Sequence, residues 1–234
     1  MELWEPITNR KHSRTLGVLF IAAALLAMAS LSIYTPLFQQ LDSNEAVHIE
    51  PDLMVTGVVL ELLVVCSVIG TAMMLYPYLK RYNPTLGMGY VLFRFAEAIV
   101  ILLGSICILI LIELYGQGLP HVPKDSGNME TIARTLGSIY RKTLILGPNF
   151  LLGINSMCYA MVMYKARLVP KTICFIGFIG SIAIFTVSLL ELYGVVDQLS
   201  IWGMVMAIPI FLYEMSFAIF LIRKGFSITP IQDH

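Results

Sequence analysis

Six stretches of the chain stay apolar long enough to cross a hydrocarbon core, which takes about 20 helical residues. They run approximately over 17–38, 53–78, 86–115, 143–164, 172–194 and 200–222. Two of the connections are short, "KRYNPTLG" and "YKARLVPK". The longest, 116–142, opens on turn formers in "GQGLPHVPKDSGN" and continues as "METIARTLGSIYRK". In that second part Ile132, Leu136 and Ile139 recur at spacings of four and three. The spacing fits an amphipathic helix lying at the interface, and equally the first turns of the fourth membrane helix extending outward. The pattern predicts an all-α integral membrane protein, a bundle of six transmembrane helices with residues 1–234 as a single domain.

Composition agrees: 58% of the residues are hydrophobic, 13% are charged and the mean hydropathy is +0.81. Soluble domains carry about 25% charged residues. The formal net charge is zero, which suggests no nucleic-acid partner and leaves the lipid bilayer as the surroundings. Arg10, Lys11, Arg14, Lys80, Arg81, Lys165, Arg167, Lys171, Arg223 and Lys224 fall on one side of the predicted helices. Lys124, Arg134, Arg141 and Lys142 fall on the other, whose first loop, "QQLDSNEAVHIEPD", has no Lys or Arg. This bias puts both termini in the cytoplasm, N-in and C-in, with Arg141 and Lys142 as a minor violation. The basic start and the "AMA" at 27–29 resemble a secretory signal, but the apolar run continues through "SLSIYTPLF" and reads as an uncleaved anchor.

The informative positions are the polar ones inside the apolar runs. Each charge at the centre of a membrane helix costs roughly 2.5–3.5 kcal/mol, so such residues face protein or water and pair. "VLFRFAEAIVILL" holds Arg94 on the order of 12 Å inside the third helix, with Glu97 one turn further on nearly the same face. Glu214, nine residues before Arg223, and Asn155, ten before Lys165, lie at similar depth. Arg94, Glu97, Asn155 and Glu214 can therefore converge in one layer of the cytoplasmic half. Glu61 lies nearer the outer end and either caps the cluster or forms a separate outer site. Arginine stays charged and offers five donors, so it can hold Glu97 or Glu214 and bridge to Asn155. Three carboxylates then face one arginine, so that protons, water or a cation must balance them. A ligand site of this kind would open to the cytoplasm beside Arg94. The same residues also allow a plain structural lock between helices three and six.

Enzyme chemistry finds little support. His12, His48, His121 and His234 lie outside the predicted helices, which argues against a histidine-held haem or zinc. Neither a P-loop nor a G-x-S-x-G occurs, and Ser156 and Ser216 have no histidine base. The reading carries no metal and no cofactor. Cys66, Cys107, Cys158 and Cys174 each sit in a different helix without paired spacing and read as packing residues. Pro148 in "LGPNFLLG" and Pro209 interrupt helices four and six, and "GFIG" at 177–180 offers close packing. "IELYG" at 112–116 and "LELYG" at 190–194 read as convergent interface vocabulary, with Glu113 and Glu191 near the outer headgroups.

Three segments carry a family resemblance: "FRFAEA", "GPNFLLGINSMCYAMVMYKARLVPKTICFIGFIG" and "YEMSFAIFLIRKGF". In this order and spacing the chain resembles the bacterial and archaeal membrane-protein family called domain of unknown function 4386. On that pattern Arg94, Glu97, Gly147, Asn155, Arg167, Pro170, Gly177, Gly180 and Glu214 occupy the family's characteristic positions. The resemblance implies a six-helix protein of the prokaryotic plasma membrane and no established activity. Beside it, Arg167 and Lys171 offer contacts for anionic headgroups, or act only as topology-setting charge. The leading functional expectation is binding or transport of a small molecule, lipid headgroup or cation at Arg94, Glu97, Asn155 and Glu214, with Glu61. The alternatives are a structural or regulatory protein whose cluster only locks the helices, and then an intramembrane enzyme. Oligomeric state is left open.

Overall fold

The computed structural model describes residues 10–43, 49–116, 127–197 and 200–226, and every regular element among them is a helix. Helix α1 spans Arg10–Asp42, α2 Pro51–Tyr82 and α3 Pro84–Gly116. Helix α4, Gly127–Leu144, runs through a π-helical segment, Ile145–Leu151, into α5, Leu152–Ala166. Helices α6, Lys171–Leu192, and α7, Ile201–Arg223, complete the chain. Counting Gly127–Ala166 as one, six helices are long and apolar enough to cross a membrane.

The observed helices mostly outrun their apolar stretches, because a helix continues through the interface wherever its ends are capped. Between α2 and α3 only Asn83 intervenes: its Oδ1 accepts from the Leu86 N–H at 3.0 Å, and Pro84 opens α3. Arg167 ends α5 in the left-handed region at φ 53°, its N–H turned back to the Met163 and Tyr164 carbonyls. The 127–142 segment is the outward extension of the fourth spanning helix and not a detached interfacial one. His12 falls inside α1, contrary to the expectation that all four histidines lie outside helices, and its Nε2 is 2.9 Å from the Met74 carbonyl. His48, His121, His234 and Lys124 lie outside the described residues.

Pro148 explains the π segment. It has no N–H for an α-helical bond, and its ring would meet the carbonyl four residues back; the wider turn avoids both. The Leu152 N–H bonds back to the Gly147 carbonyl, five residues away.

The helices form a ring. Helix α1 packs on α2, α2 on α3, α3 on α4 and α5, α5 on α6, α6 on α7, and α7 returns to α1. The outward faces carry large apolar side chains such as Met73, Phe95, Ile179 and Trp202, a surface suited to lipid. At the end where α1 begins and α7 ends, here the terminal end, Leu16, Leu79, Tyr90, Leu168, Phe217 and Leu221 close a dense core. At the opposite end Tyr34, Phe38, Leu41, Ile108 and Tyr140 form a second one.

Candidate functional site

Arg94 and Glu97 sit one turn apart on the inward face of α3, 3% and 4% exposed. Arg94 Nη1 donates to Glu97 Oε2 at 3.2 Å, and Nη2 donates to Glu214 Oε1 on α7 at 2.9 Å. From α5, Asn155 Nδ2 donates to Glu97 Oε2 at 2.8 Å. The four residues expected in one layer do meet, and they tie α3, α5 and α7 together. Glu214 reaches the arginine because α7 lies hard against α6 one turn earlier. A Cβ on Gly180 would stand 2.7 Å from the Ile210 backbone nitrogen, so only glycine admits that approach. The guanidinium also lies over two rings, 5.6 Å from the Phe20 centroid and 5.8 Å from that of Tyr90. Such contacts add cation–π attraction in desolvated surroundings. Its Nε, buried, has no partner among the described residues.

Glu61 does not cap this cluster; it has a seat of its own. Its Oε2 accepts from Ser105 Oγ on α3 at 2.6 Å and its Oε1 from Tyr140 Oη on α4 at 2.6 Å. No cation of the described residues lies within ion-pair distance of it. Tyr34 of α1 stands edge-on to Tyr140 at 5.5 Å, its own hydroxyl buried and unpartnered. Here too a glycine permits the approach: a Cβ on Gly104 would lie 2.6 Å from Thr143 Oγ1 and 3.3 Å from the Tyr140 ring.

A third polar pair was not anticipated. Asn149, in the π segment, donates from Nδ2 to Glu191 Oε2 at 2.8 Å. Glu191, at the end of α6, is 4% exposed and packed within the protein, whereas Glu113, its counterpart in the repeated "ELYG", is exposed. Asn149 had a signal in its position beside Pro148. Ser105 had one too, since 94, 97, 101, 105 and 108 recur on one helical face. Tyr140 shares its face with the buried Ala133, Gly137 and Thr143.

One cavity of about 320 Å³ joins these parts. Arg94, Glu97, Glu214, Glu61, Tyr140 and Asn149 supply its polar wall; Ala23, Ala27, Val64, Ile101, Leu152 and Ile210 are among its apolar ones. Toward the terminal end the packing beneath Arg94 is dense. There Tyr90, Tyr159 and Tyr213, all fully buried, stand beneath the arginine, above Leu79 and Leu221. The lining residues that also reach the outer surface are Ala27 and Met28 of α1 and Phe211 of α7, Met28 57% and Phe211 38% exposed, from which we infer a mouth between these two helices. These are the least covered of the six spans, with 22% and 28% of their apolar windows buried.

Arg167 and Lys171 are exposed in the α5–α6 connection, apart from the cavity. Ser216 Oγ donates to the Leu212 carbonyl of its own helix at 2.6 Å. The described residues hold no group of three His, Cys, Asp or Glu able to bind a metal ion. Cys107 and Cys174 are buried, Cys158 is partly so, and Cys66 faces outward.

A closed ring of six membrane-length helices around a partly polar cavity defines a polytopic helical membrane protein. The family model described as domain of unknown function DUF4386 matches residues 15–225, and the chain belongs to that family. No curated protein and no solved structure matches it.

Proposed function

We propose that this protein binds a small amphipathic molecule within the membrane, in the cavity lined by Arg94, Glu97, Glu214 and Glu61 with Asn155 holding Glu97 from behind, and that transport of that molecule is the natural extension of binding. The protein sits in the plasma membrane with both termini in the cytoplasm, where Arg167 and Lys171 meet anionic headgroups. The observation that carries this is the cavity itself. Ligand sites are concave, mostly apolar and furnished with a few convergent polar groups, from about 300 Å³ upward. Here apolar walls from α1, α2 and α7 meet two separate carboxylate sites. Intramembrane ionisable groups on a cavity mark substrate or ion paths more often than simple packing.

A structural lock has an observation in its favour as well. Arg94 Nη1 and Nη2 are both engaged, and Glu97 is held by both Arg94 and Asn155. Glu214 separates the two readings, because it lines the cavity and, among the described residues, only its Oε1 is hydrogen-bonded. Native mass spectrometry of the purified protein, wild type against Glu214→Gln, is expected to show a small adduct on the wild type that the variant loses. A bare protein in both cases would leave the cluster as a lock.

A further inference from the structure

Around the cavity stand three carboxyl groups, Glu61, Glu97 and Glu214, and one guanidinium, Arg94. Glu97 and Glu214 share that guanidinium. Glu61 has only neutral neighbours within reach: Ser105 from α3, Tyr140 from α4, and Tyr34 packed against Tyr140 from α1. Beyond these, the charged groups facing it across the cavity are Arg94 and Glu97 of α3 and Glu214 of α7, and α2 itself adds only Val64, Val68 and Thr71 to the walls. An uncompensated carboxylate in such surroundings is expensive, so something positive must accompany Glu61.

The hydrogen bonds around Glu61 fit two protonation states with the same heavy-atom positions. Ser105 Oγ lies 2.6 Å from Glu61 Oε2 and 3.2 Å from the Ile101 carbonyl oxygen. Its single proton serves one of them at a time. With Glu61 ionised, Ser105 donates to Oε2. With Glu61 protonated, Oε2–H donates to Ser105 Oγ and the serine turns its own proton to Ile101. Tyr140 donates to Oε1 in either state. The seat is thus built to let a proton leave and return.

We propose that the cavity exchanges a proton on Glu61 for a lipophilic monovalent organic cation, an inference that rests on the cavity being a ligand site. The step balances: the Glu61 carboxyl gives up its proton to water, the cation enters, and the charge inside the cavity is unchanged. The apolar walls take the body of such a molecule, and the mouth between α1 and α7 opens where a lipophilic cation partitions, on the lipid side. An anion finds no equivalent seat, because the Arg94 charge is already shared by Glu97 and Glu214.

The test is calorimetric titration of the full-length protein in detergent with tetraphenylphosphonium, repeated in two buffers of different ionisation enthalpy to count protons. Neutral triphenylphosphine oxide serves as comparator. Saturable cation binding with about one proton released per cation is expected, by linkage of the two equilibria. Glu61→Gln should bind at least about tenfold more weakly and release none. Cation binding without proton release, or unchanged release from Glu61→Gln, overturns the exchange while leaving the cavity a ligand site. Binding of the neutral compound alone overturns the choice of a cation and again leaves the site. If neither binds, the inference fails, and the adduct experiment alone decides the reading beneath it. Should Glu61→Gln not fold, the wild-type proton count still decides.

Discussion

Arg94 is the residue on which the rest of the polar layer depends. It faces two carboxylates, on its own helix and on α7. Replacing it by methionine keeps the length and removes the charge, leaving both acids buried without their partner. Breaking a buried pair in this way costs about 3–5 kcal/mol. Glu214→Gln removes one charge but keeps an acceptor facing Nη2, and the Glu214 side chain is 13% exposed. Its expected cost is that of a weakened charged hydrogen bond, about 1–2 kcal/mol. Thermal unfolding in detergent should therefore rank Arg94→Met well below Glu214→Gln, and equal losses would mean that the arginine is not the centre of the layer. Arg94, Glu97, Asn155 and Glu214 were legible in the sequence because a charge or an amide inside an apolar run is conspicuous and its depth can be counted from the helix end. Ser105 shares the helical face of Arg94 and Glu97 but, like Tyr140, has no charge to single it out. Only the fold showed that they serve Glu61.

At the scale of the elements, six helices were legible from apolar length, and their boundaries less so. The fourth shows why. Its outer half alternates charged and apolar residues, a pattern shared by an interfacial helix and by a spanning helix that protrudes. What makes it the latter is contact: Arg141 pairs with Asp42 of α1 at 3.1 Å, and Arg134 Nη2 donates to the Ser43 carbonyl at 3.0 Å. Those pairings engage two of the four cations on the minority side, Arg134 and Arg141. The π segment was announced only by Pro148, which could as well have kinked an ordinary helix. Close helix approach yields a sharper test. A Cβ at Gly180 would strike the Ile210 backbone at 2.7 Å, and backbone cannot step aside as a side chain can. Gly180→Ala is expected to cost about 1–3 kcal/mol as overpacking and to loosen the Arg94–Glu214 contact. Gly89→Ala meets only Cys158 Sγ at 3.8 Å and should be neutral or stabilising by up to about 1 kcal/mol. Melting curves of the two variants compare these directly, and a harmless Gly180→Ala would show that α7 is not held where the site requires it.

The closure of α7 on α1 belongs to the whole molecule, and no local pattern in the chain expresses it. The sequence brings Arg94, Glu97, Asn155 and Glu214 to one layer, where they do meet, and predicts an opening toward the cytoplasm. Ring closure packs the terminal end beneath Arg94, where Phe20 of α1 meets Phe217 of α7 edge-on at 5.4 Å. Farther along, both helices line the cavity and both reach the outer surface. On the proposed function a ligand of this cavity enters from the lipid-facing surface, and its access depends on small residues at the mouth. Ala27 is such a residue, exposed and on the cavity wall. Tryptophan there would fill the gap from the lipid side without intruding on a packed core, so the fold should persist. Val18, on the same helix and 55% exposed, lies away from the cavity lining. Ala27→Trp should abolish saturable binding of tetraphenylphosphonium, whereas Val18→Trp should bind as wild type, both melting within a few degrees of it. Undiminished binding by a folded Ala27→Trp would mean that the cation reaches the cavity by another path, and that the gap between α1 and α7 is only a seam in the lipid-facing surface.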